Sequence, residues 1–443
     1  MLTLRQKIFY GICRFGTTIL LNVVFVATFW MYSNTINLDP MLNGIGNAVG
    51  KLVIGISSFF FGFVSDSLSS STAKYGRRKL FIWIGAPLLG LSFTMLFTPH
   101  FIIPDSSQTG IFLWLLIWNS LFHFFYGFLL TPYQSWLPEI TKPEERVGVS
   151  AVMNITNLFG GAVGSGFALL MAGIIQESGG VVGDAAVVLL SFAIIFSVVE
   201  IVMFIPALVS IKEKHVATKK KNIWKELKVA LKNKNYVVWM ISYAILSVGI
   251  TIMSVLMLDF VHVVLGLNTT LDNFIFAALM FVAMVLGFYT WSILSKKKGI
   301  KLSLIISYCF LLIWMPLTIL VGKIPLIPLI IQGYIFGFFA VFGMSAAFLF
   351  PYVIIADIAD KDEKDTLENR SGVYTGFKSI PTNIAQAGGF ILVGYLLSPE
   401  TNIDLIWIGP IVTVFLVIAL PIMLLGDYDF FKKKSKDMIT ETD

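Results

Sequence analysis

Apolar runs of 20 residues or more recur along the whole chain, separated by short polar and charged stretches. A helical run of about 20 apolar residues matches the hydrocarbon core of a bilayer. Twelve are expected, at approximately 8–32, 41–65, 80–99, 111–134, 149–175, 185–210, 237–266, 273–294, 302–322, 326–356, 371–397 and 405–426. The tenth is long enough to tilt or to end in a polar turn. The first spans about 25 residues without an A-x-A cleavage site, so it is read as a retained span and not a signal peptide.

Composition agrees. Of the 443 residues, 57% are hydrophobic and 13% charged, against about 25% charged in an ordinary globular protein. A mean hydropathy of +0.84 leaves too little polar side chain to cover a water-facing surface. The net charge of +6 is not a nucleic-acid groove, because the bases lie in short segments between apolar runs. Even-numbered connections, the central segment and both ends hold 28 of the 32 Lys and Arg residues, and odd-numbered connections hold only Lys323. By the positive-inside rule this places both termini in the cytoplasm. Arg14, Lys51 and Lys378 remain within runs.

The expected organisation is a first bundle over 1–210, a basic cytoplasmic loop over 211–236, a second bundle over 237–426 and a cytoplasmic tail over 427–443. The loop carries nine lysines. Its Trp224-Lys225-Glu226-Leu227 portion is either an amphipathic helix on the membrane surface or part of a solvated linker. Cys13 and Cys309 both fall in apolar runs, and His100, His123, His215 and His262 are scattered. No disulfide framework, metal-ligand spacing or Walker loop is present, so no cofactor or nucleic-acid partner is expected. Without a Ser/His/Asp set or paired carboxylates across the runs, the chain is not expected to be an enzyme.

The two halves echo one another. After run four come Pro138-Glu139-Ile140, Glu145-Arg146 and Gly148; after run ten come Ala356-Asp357-Ile358, Glu368, Arg370 and Gly372. Gly76-Arg77-Arg78-Lys79 after run two is matched loosely by Lys297-Lys298-Gly299-Ile300-Lys301 after run eight. Two six-helix halves repeated in parallel are the architecture of the major facilitator fold. The expected fold is therefore an all-α membrane protein with twelve transmembrane helices in two six-helix bundles.

Gly62-Phe63-Val64-Ser65-Asp66 followed by Gly76-Arg77-Arg78-Lys79 resembles the inner-loop motif of that superfamily, with a longer spacer. A helix-end carboxylate facing a basic turn pins two helices in one state and releases them in another; the plainer alternative is a capped turn with ordinary inside-positive charge. Asp66, Arg77, Arg78, Glu139, Arg146, Asp357 and Arg370 are the candidate gating residues. The segments TPYQSWLPEIT with EER, and PYVIIADIADKDE with ENRSGVYTGF, together with FYGICRFGTT and YGRRKLFIWIG, resemble the glycoside–pentoside–hexuronide:cation symporters, the group of the melibiose permeases. The resemblance implies uptake of a sugar or glycoside coupled to sodium or protons.

The chain departs from that group at the cation site. The melibiose permeases hold the cation with acids on helices 1, 2 and 4, and the matching positions here are Thr18, Ile54, Ser58 and Leu130. A sodium site needs hard oxygen ligands and a charge to offset desolvation, so protons are the preferred coupling ion and uncoupled facilitated diffusion the rival. Polar residues instead form stripes at helical spacing: Arg14, Thr18 and Asn22; Asn43, Asn47 and Lys51; Asn119, His123 and Tyr126; Asn154 and Asn157; Ser247, Thr251 and Ser254; Lys378, Thr382 and Gln386. From these, Arg14, Thr18, Asn22, Asn47, Lys51, Trp118, Asn119, His123, Tyr126, Lys378 and Thr382 are the candidate substrate ligands. Trp118, Phe122 and Tyr126 offer either a flat surface for a sugar ring or ordinary packing. His123, Glu200 and Asp259 are the candidate proton carriers.

A charge at mid-membrane is costly enough that Lys51 should face a cavity or a partner, whereas Arg14 and Lys378 lie nearer the cytoplasmic ends of their runs and either face the cavity or snorkel to the interface. If Arg14, Lys51 and Lys378 face the cavity unpaired, the substrate is anionic, such as a sugar acid held by base-to-carboxylate contacts. Pairing of those bases with Glu200 or Asp259 would remove that argument. A non-transporting sensor or scaffold with the same fold is the remaining alternative.

Overall fold

The computed structural model describes residues 2–67, 76, 78–103, 107–141, 143–181, 183–213, 223–366, 371–401 and 403–427. Every regular element among them is helical. The first group comprises α1 (Leu4–Trp30), α2 (Pro40–Ser67), α3 (Lys79–Leu96), α4 (Gln108–Ile140), α5 (Pro143–Glu177) and α6 (Gly183–Ser210). A short α7 (Ile223–Ala230) follows, so the Trp224–Leu227 portion is helical. The second group comprises α8 (Lys234–Asp259), α9 (Thr270–Lys298), α10 (Ile300–Trp314, continued by a 3-10 segment to Leu320), α11 (Leu329–Leu349), α12 (Pro351–Thr366), α13 (Ser371–Phe377), α14 (Ser379–Leu396) and α15 (Ile408–Leu424).

Eleven helices among the described residues are long and apolar enough to cross a membrane. α14 has 18 residues but is not among them, since Thr382, Asn383 and Gln386 dilute its apolar content. The tenth expected run is broken before Pro351. Pro351 has no N–H to donate to the Ala347 carbonyl one turn back, although Phe350 keeps helical backbone angles, so the two segments still form one long span. The eleventh run divides at Lys378, where Pro381 cannot donate to the Phe377 carbonyl. Thr3 opens α1 with a capping box, its hydroxyl accepting from the Gln6 N–H while Gln6 Oε1 accepts from the Thr3 N–H.

α1 packs on α5 and α6, α2 on α4, and α3 on α4 and α6; α8 packs on α14 and α15, and α11 on α9 and α10. Small residues let these axes approach closely, the usual route to helix packing in lipid. A Cβ on Gly16 would lie 2.5 Å from the Glu200 Cα, and one on Gly160 would lie 2.6 Å from the Phe15 carbonyl oxygen. Contacts between the two groups run chiefly through α1–α8, α2–α14 and α5–α9. Ile56, Phe60, Leu91, Ile195, Val209, Ile313 and Val417 are exposed. Many polar side chains along the spans, among them Asn43, Asn47, Asn119 and Glu200, are by contrast buried inside, the reverse of a water-soluble protein.

α1 and α8 both end in a π turn, Met31–Thr35 and Phe260–Val264. At this end of the bundle the two groups meet. Asn34 donates to Asp259 at 2.5 Å, the Trp30 and His262 rings lie 5.4 Å apart, and Glu177 accepts from the Thr270 N–H at 2.7 Å. α2 and α14 touch backbone to backbone, a Cβ on Gly394 falling 2.6 Å from the Pro40 carbonyl oxygen. These contacts close the end of the bundle remote from the first residues of α1.

Candidate functional site

Below that closed layer the structure gathers one group of expected ligands on α2 and α4. Asn47, Lys51, Asn119 and His123 are all buried. Asn119 donates to the Gly46 carbonyl at 3.3 Å and to Asn47 Oδ1 at 3.4 Å, and His123 Nδ1 lies 2.9 Å from the Asn119 carbonyl. Asn47 in turn donates to Asn43 Oδ1 at 2.8 Å, and Asn43 to Ser33 Oγ at 2.8 Å. Gly50 permits this crossing, since a Cβ there would lie 2.6 Å from Asn119 Nδ2.

Lys51, one residue on, is 6% exposed. Its Nζ sits 4.4 Å from the Phe25 ring centre and 6.0 Å from that of Phe390. Among the described residues no carboxylate pairs with it. The ammonium is held by the faces of two rings, one on α1 and one on α14, so it bridges the two groups of helices.

A second group forms on α1 and α5. Arg14 donates to Asn157 Oδ1 at 2.7 Å, Thr18 donates to the same oxygen at 2.7 Å, and Asn22 donates to the Thr18 carbonyl at 2.9 Å. Arg14 and Phe25 are eleven residues apart on α1, about 16 Å at the helical rise. Arg14 and Lys51 therefore belong to separate levels. Lys378 defines a third position at the α13–α14 break, its Nζ 5.2 Å from the Tyr243 ring and 5.7 Å from that of Trp239. Thr382 lies one turn further along α14, its buried hydroxyl without a hydrogen-bond partner.

The aromatic stripe on α4 is spent largely on packing: Trp118 lies against Trp114, Phe122 against Phe93 of α3, and Tyr126 against Phe122. Glu200 is fully buried beside α1, with neither carboxyl oxygen hydrogen-bonded. Asp259 belongs to the closed end, held by Asn34. Neither acid forms an ion pair with Arg14, Lys51 or Lys378 among the described residues.

Of the candidate gating residues, Arg78 and Glu139 are brought together. The Arg78 guanidinium donates to Glu139 Oε1 from Nη2 at 2.6 Å and from Nε at 3.1 Å, and from Nη1 to Ser65 Oγ at 2.5 Å. Asp357 is buried on α12. Arg77 and Arg370 lie outside the described residues, as do the side chains of Asp66 and Arg146.

Phe25, Phe390, Trp239 and Tyr243 face the bases, yet nothing in the sequence separates them from other aromatic residues in apolar runs. Asn157 was visible as part of a stripe, but its pairing with Arg14 was not. Glu213 sits in the basic segment after α6 and has no periodic signal.

The comparisons agree with this architecture. The nucleoside transporter NupG superposes with a TM-score of 0.65 at 14% identity, over 95% of this chain and 99% of that one. A bacterial homologue of the human lysosomal transporter Spinster, inward-facing and unoccupied, gives 0.63 at 14% identity over 97% of both chains. At these identities the likeness is one of fold. In sequence the chain is 20% identical to an uncharacterized symporter of Synechocystis, over 88% of this chain and 85% of that protein. It is 26% identical to a putative sulfoquinovose importer of Salmonella typhimurium over 151 residues, 34% of this chain and 31% of that protein. The family described as MFS/sugar transport protein matches residues 9–400. The chain is thus an integral, multi-pass membrane transporter and not an enzyme, and it belongs to the MFS/sugar transport protein family.

Proposed function

We propose that this protein moves a sugar, glycoside or sugar acid across the cell membrane by alternating access, and that within this class its substrate is anionic. The observation that carries the reading is Lys51: a buried ammonium between the two groups of helices, held by ring faces, with no carboxylate to neutralise it among the described residues. A carboxylate or sulfonate arriving from the cavity supplies the missing charge and a charge-assisted hydrogen bond. Asn47, Asn119 and His123 supply neighbouring groups for hydroxyls. The similarity of one segment to a putative sulfoquinovose importer points the same way.

In this reading α14 is the twelfth span, residues 1–210 and 237–426 are the two rocking bundles, and both termini are cytoplasmic. The closed layer around Asn34, Asp259 and Gly394 is then the outer gate, and Arg78 with Glu139 belongs to the inner one. Protons are the coupling ion, with His123, Glu200 and Asp259 as carriers. Uncoupled transport is the second reading, favoured by Thr18, Ile54, Ser58 and Leu130 standing where the resemblance to the melibiose permeases implies acids.

The test is thermal stabilisation of purified protein by neutral glycosides and by their uronic-acid and sulfonate counterparts. A ligand at 100 times its dissociation constant adds about 2.7 kcal/mol. Stabilisation by the acids alone is expected; stabilisation by the neutral sugars alone refutes the anionic substrate. Counterflow in liposomes then decides whether the bound sugar moves, and a proton-gradient dependence of accumulation decides between the two readings.

A further inference from the structure

The segment that follows α6 reaches back to the α2–α3 turn. Glu213 Oε1 accepts from the Arg78 backbone N–H at 2.6 Å. Its second oxygen lies over Gly76, whose φ of +87° is open to few residues but glycine, and a Cβ there would stand 1.8 Å from Oε2. Lys79 fastens the same corner from the other side, donating to the Leu208 carbonyl at 2.7 Å in the last turn of α6. The residue whose backbone is held is the residue whose guanidinium reaches Glu139 and Ser65. On the far side of the central segment α7 packs against α13, which leads into Lys378 and α14.

We propose that Glu213 is a positioning residue of the inner gate, seated in the Gly76–Arg78 turn so that Arg78 is held in register with Glu139. This rests on the transport reading above for the word gate, but the seat itself does not. A carboxylate accepting a backbone N–H makes a charge-assisted bond, stronger than a neutral one. Glu213 Oε2 is buried without a hydrogen-bond partner, and burial pushes this carboxyl above its ordinary range. Among the described residues, the charged groups that act on it are Glu139, Lys79 and Arg78. The cradle is specific in shape: any side chain at Gly76 occupies the place of Oε2. Among the described residues, the central segment therefore touches a turn of the first bundle through Glu213 and α13 of the second group through α7.

Two measurements test this. In purified full-length protein, E213A should raise hydrogen exchange at the Arg78 amide roughly tenfold or more, as loss of a hydrogen bond to a charged group implies, and E213Q, whose amide oxygen is a neutral acceptor, should restore part of the protection. In liposomes, E213A should lower Vmax several-fold with KM unchanged, because the substrate site is remote. G76A should do the same, and the double variant should be no worse than the poorer single one. Unchanged exchange in E213A removes the seat. Raised exchange with unchanged Vmax, or additive losses in E213A and G76A, removes the gating role. The exchange arm needs no substrate, so failure of wild-type protein to move any sugar refutes the transport reading while leaving the seat to be judged separately.

Discussion

Replacing Lys51 by Met separates stability from binding, because the two should move in opposite directions. The side chain is 6% exposed and has no ion-pair partner among the described residues. Desolvating an unpaired ammonium costs several kcal/mol. The two ring faces at 4.4 and 6.0 Å return only part of this, about 2 kcal/mol for a desolvated cation–π contact. Met keeps the length and the apolar stem and removes the charge, so the unliganded Lys51→Met protein should be more stable by on the order of 1 kcal/mol. Binding should suffer. A hydrogen bond to a charged group is worth about 1.5–3 kcal/mol, so affinity for an anionic sugar should fall roughly 10–150-fold. Affinity for its neutral counterpart should change little. Thermal unfolding of the unliganded protein and calorimetric titration with the matched pair provide both numbers. Equal weakening of acid and neutral ligands, or a less stable unliganded variant, would show that Lys51 is a structural residue.

Three further outcomes are expected. Arg78→Gln removes the guanidinium that meets Glu139 at 2.6 Å and should lower stability by about 3 kcal/mol; adding Glu139→Gln should recover part of this, read by thermal unfolding, and an additive loss would argue against the pair. Gly394→Val drives a side chain into the Pro40 carbonyl at the closed end. It should increase labelling of a cysteine placed by Asn43→Cys in a Cys309→Ser background; unchanged labelling would mean that this α2–α14 contact does not hold the gate. Asp259→Ala removes the acceptor that Asn34 meets at 2.5 Å and should open the same end, by about 1–3 kcal/mol. Labelling of His262→Cys reports it, and protection equal to that in the parent would exclude the contact as a latch.

The candidate site was only partly legible in the chain. Periodicity put Asn47 and Lys51 on one face of α2, and Asn119 and His123 on one face of α4, because helical spacing is a local property. Spacing also set Arg14 nearer the cytoplasmic end of its run than Lys51, but it could not say that Arg14 meets Asn157 of α5 while Lys51 meets Phe25, since partners depend on how α1 is threaded past α2 and α5. The stripe of Trp118, Phe122 and Tyr126 has the same periodicity as a ligand face, yet Phe122 turns toward α3. Which side of a uniformly apolar helix meets its neighbour is set by the neighbour.

By itself the sequence determined that the chain lives in a bilayer, roughly where its helices begin and end, and which connections carry the positive charge. Each of these follows from hydrophobicity summed over about 20 neighbouring residues, a quantity needing no tertiary information. Only the tertiary structure decided that Lys51 lies against Phe25 and Phe390, that Arg78 meets Glu139, and that Glu213 returns across 135 residues to the turn at Gly76. Those meetings depend on where small residues let two axes approach and on which polar groups, once sealed from water, have no partner except one another.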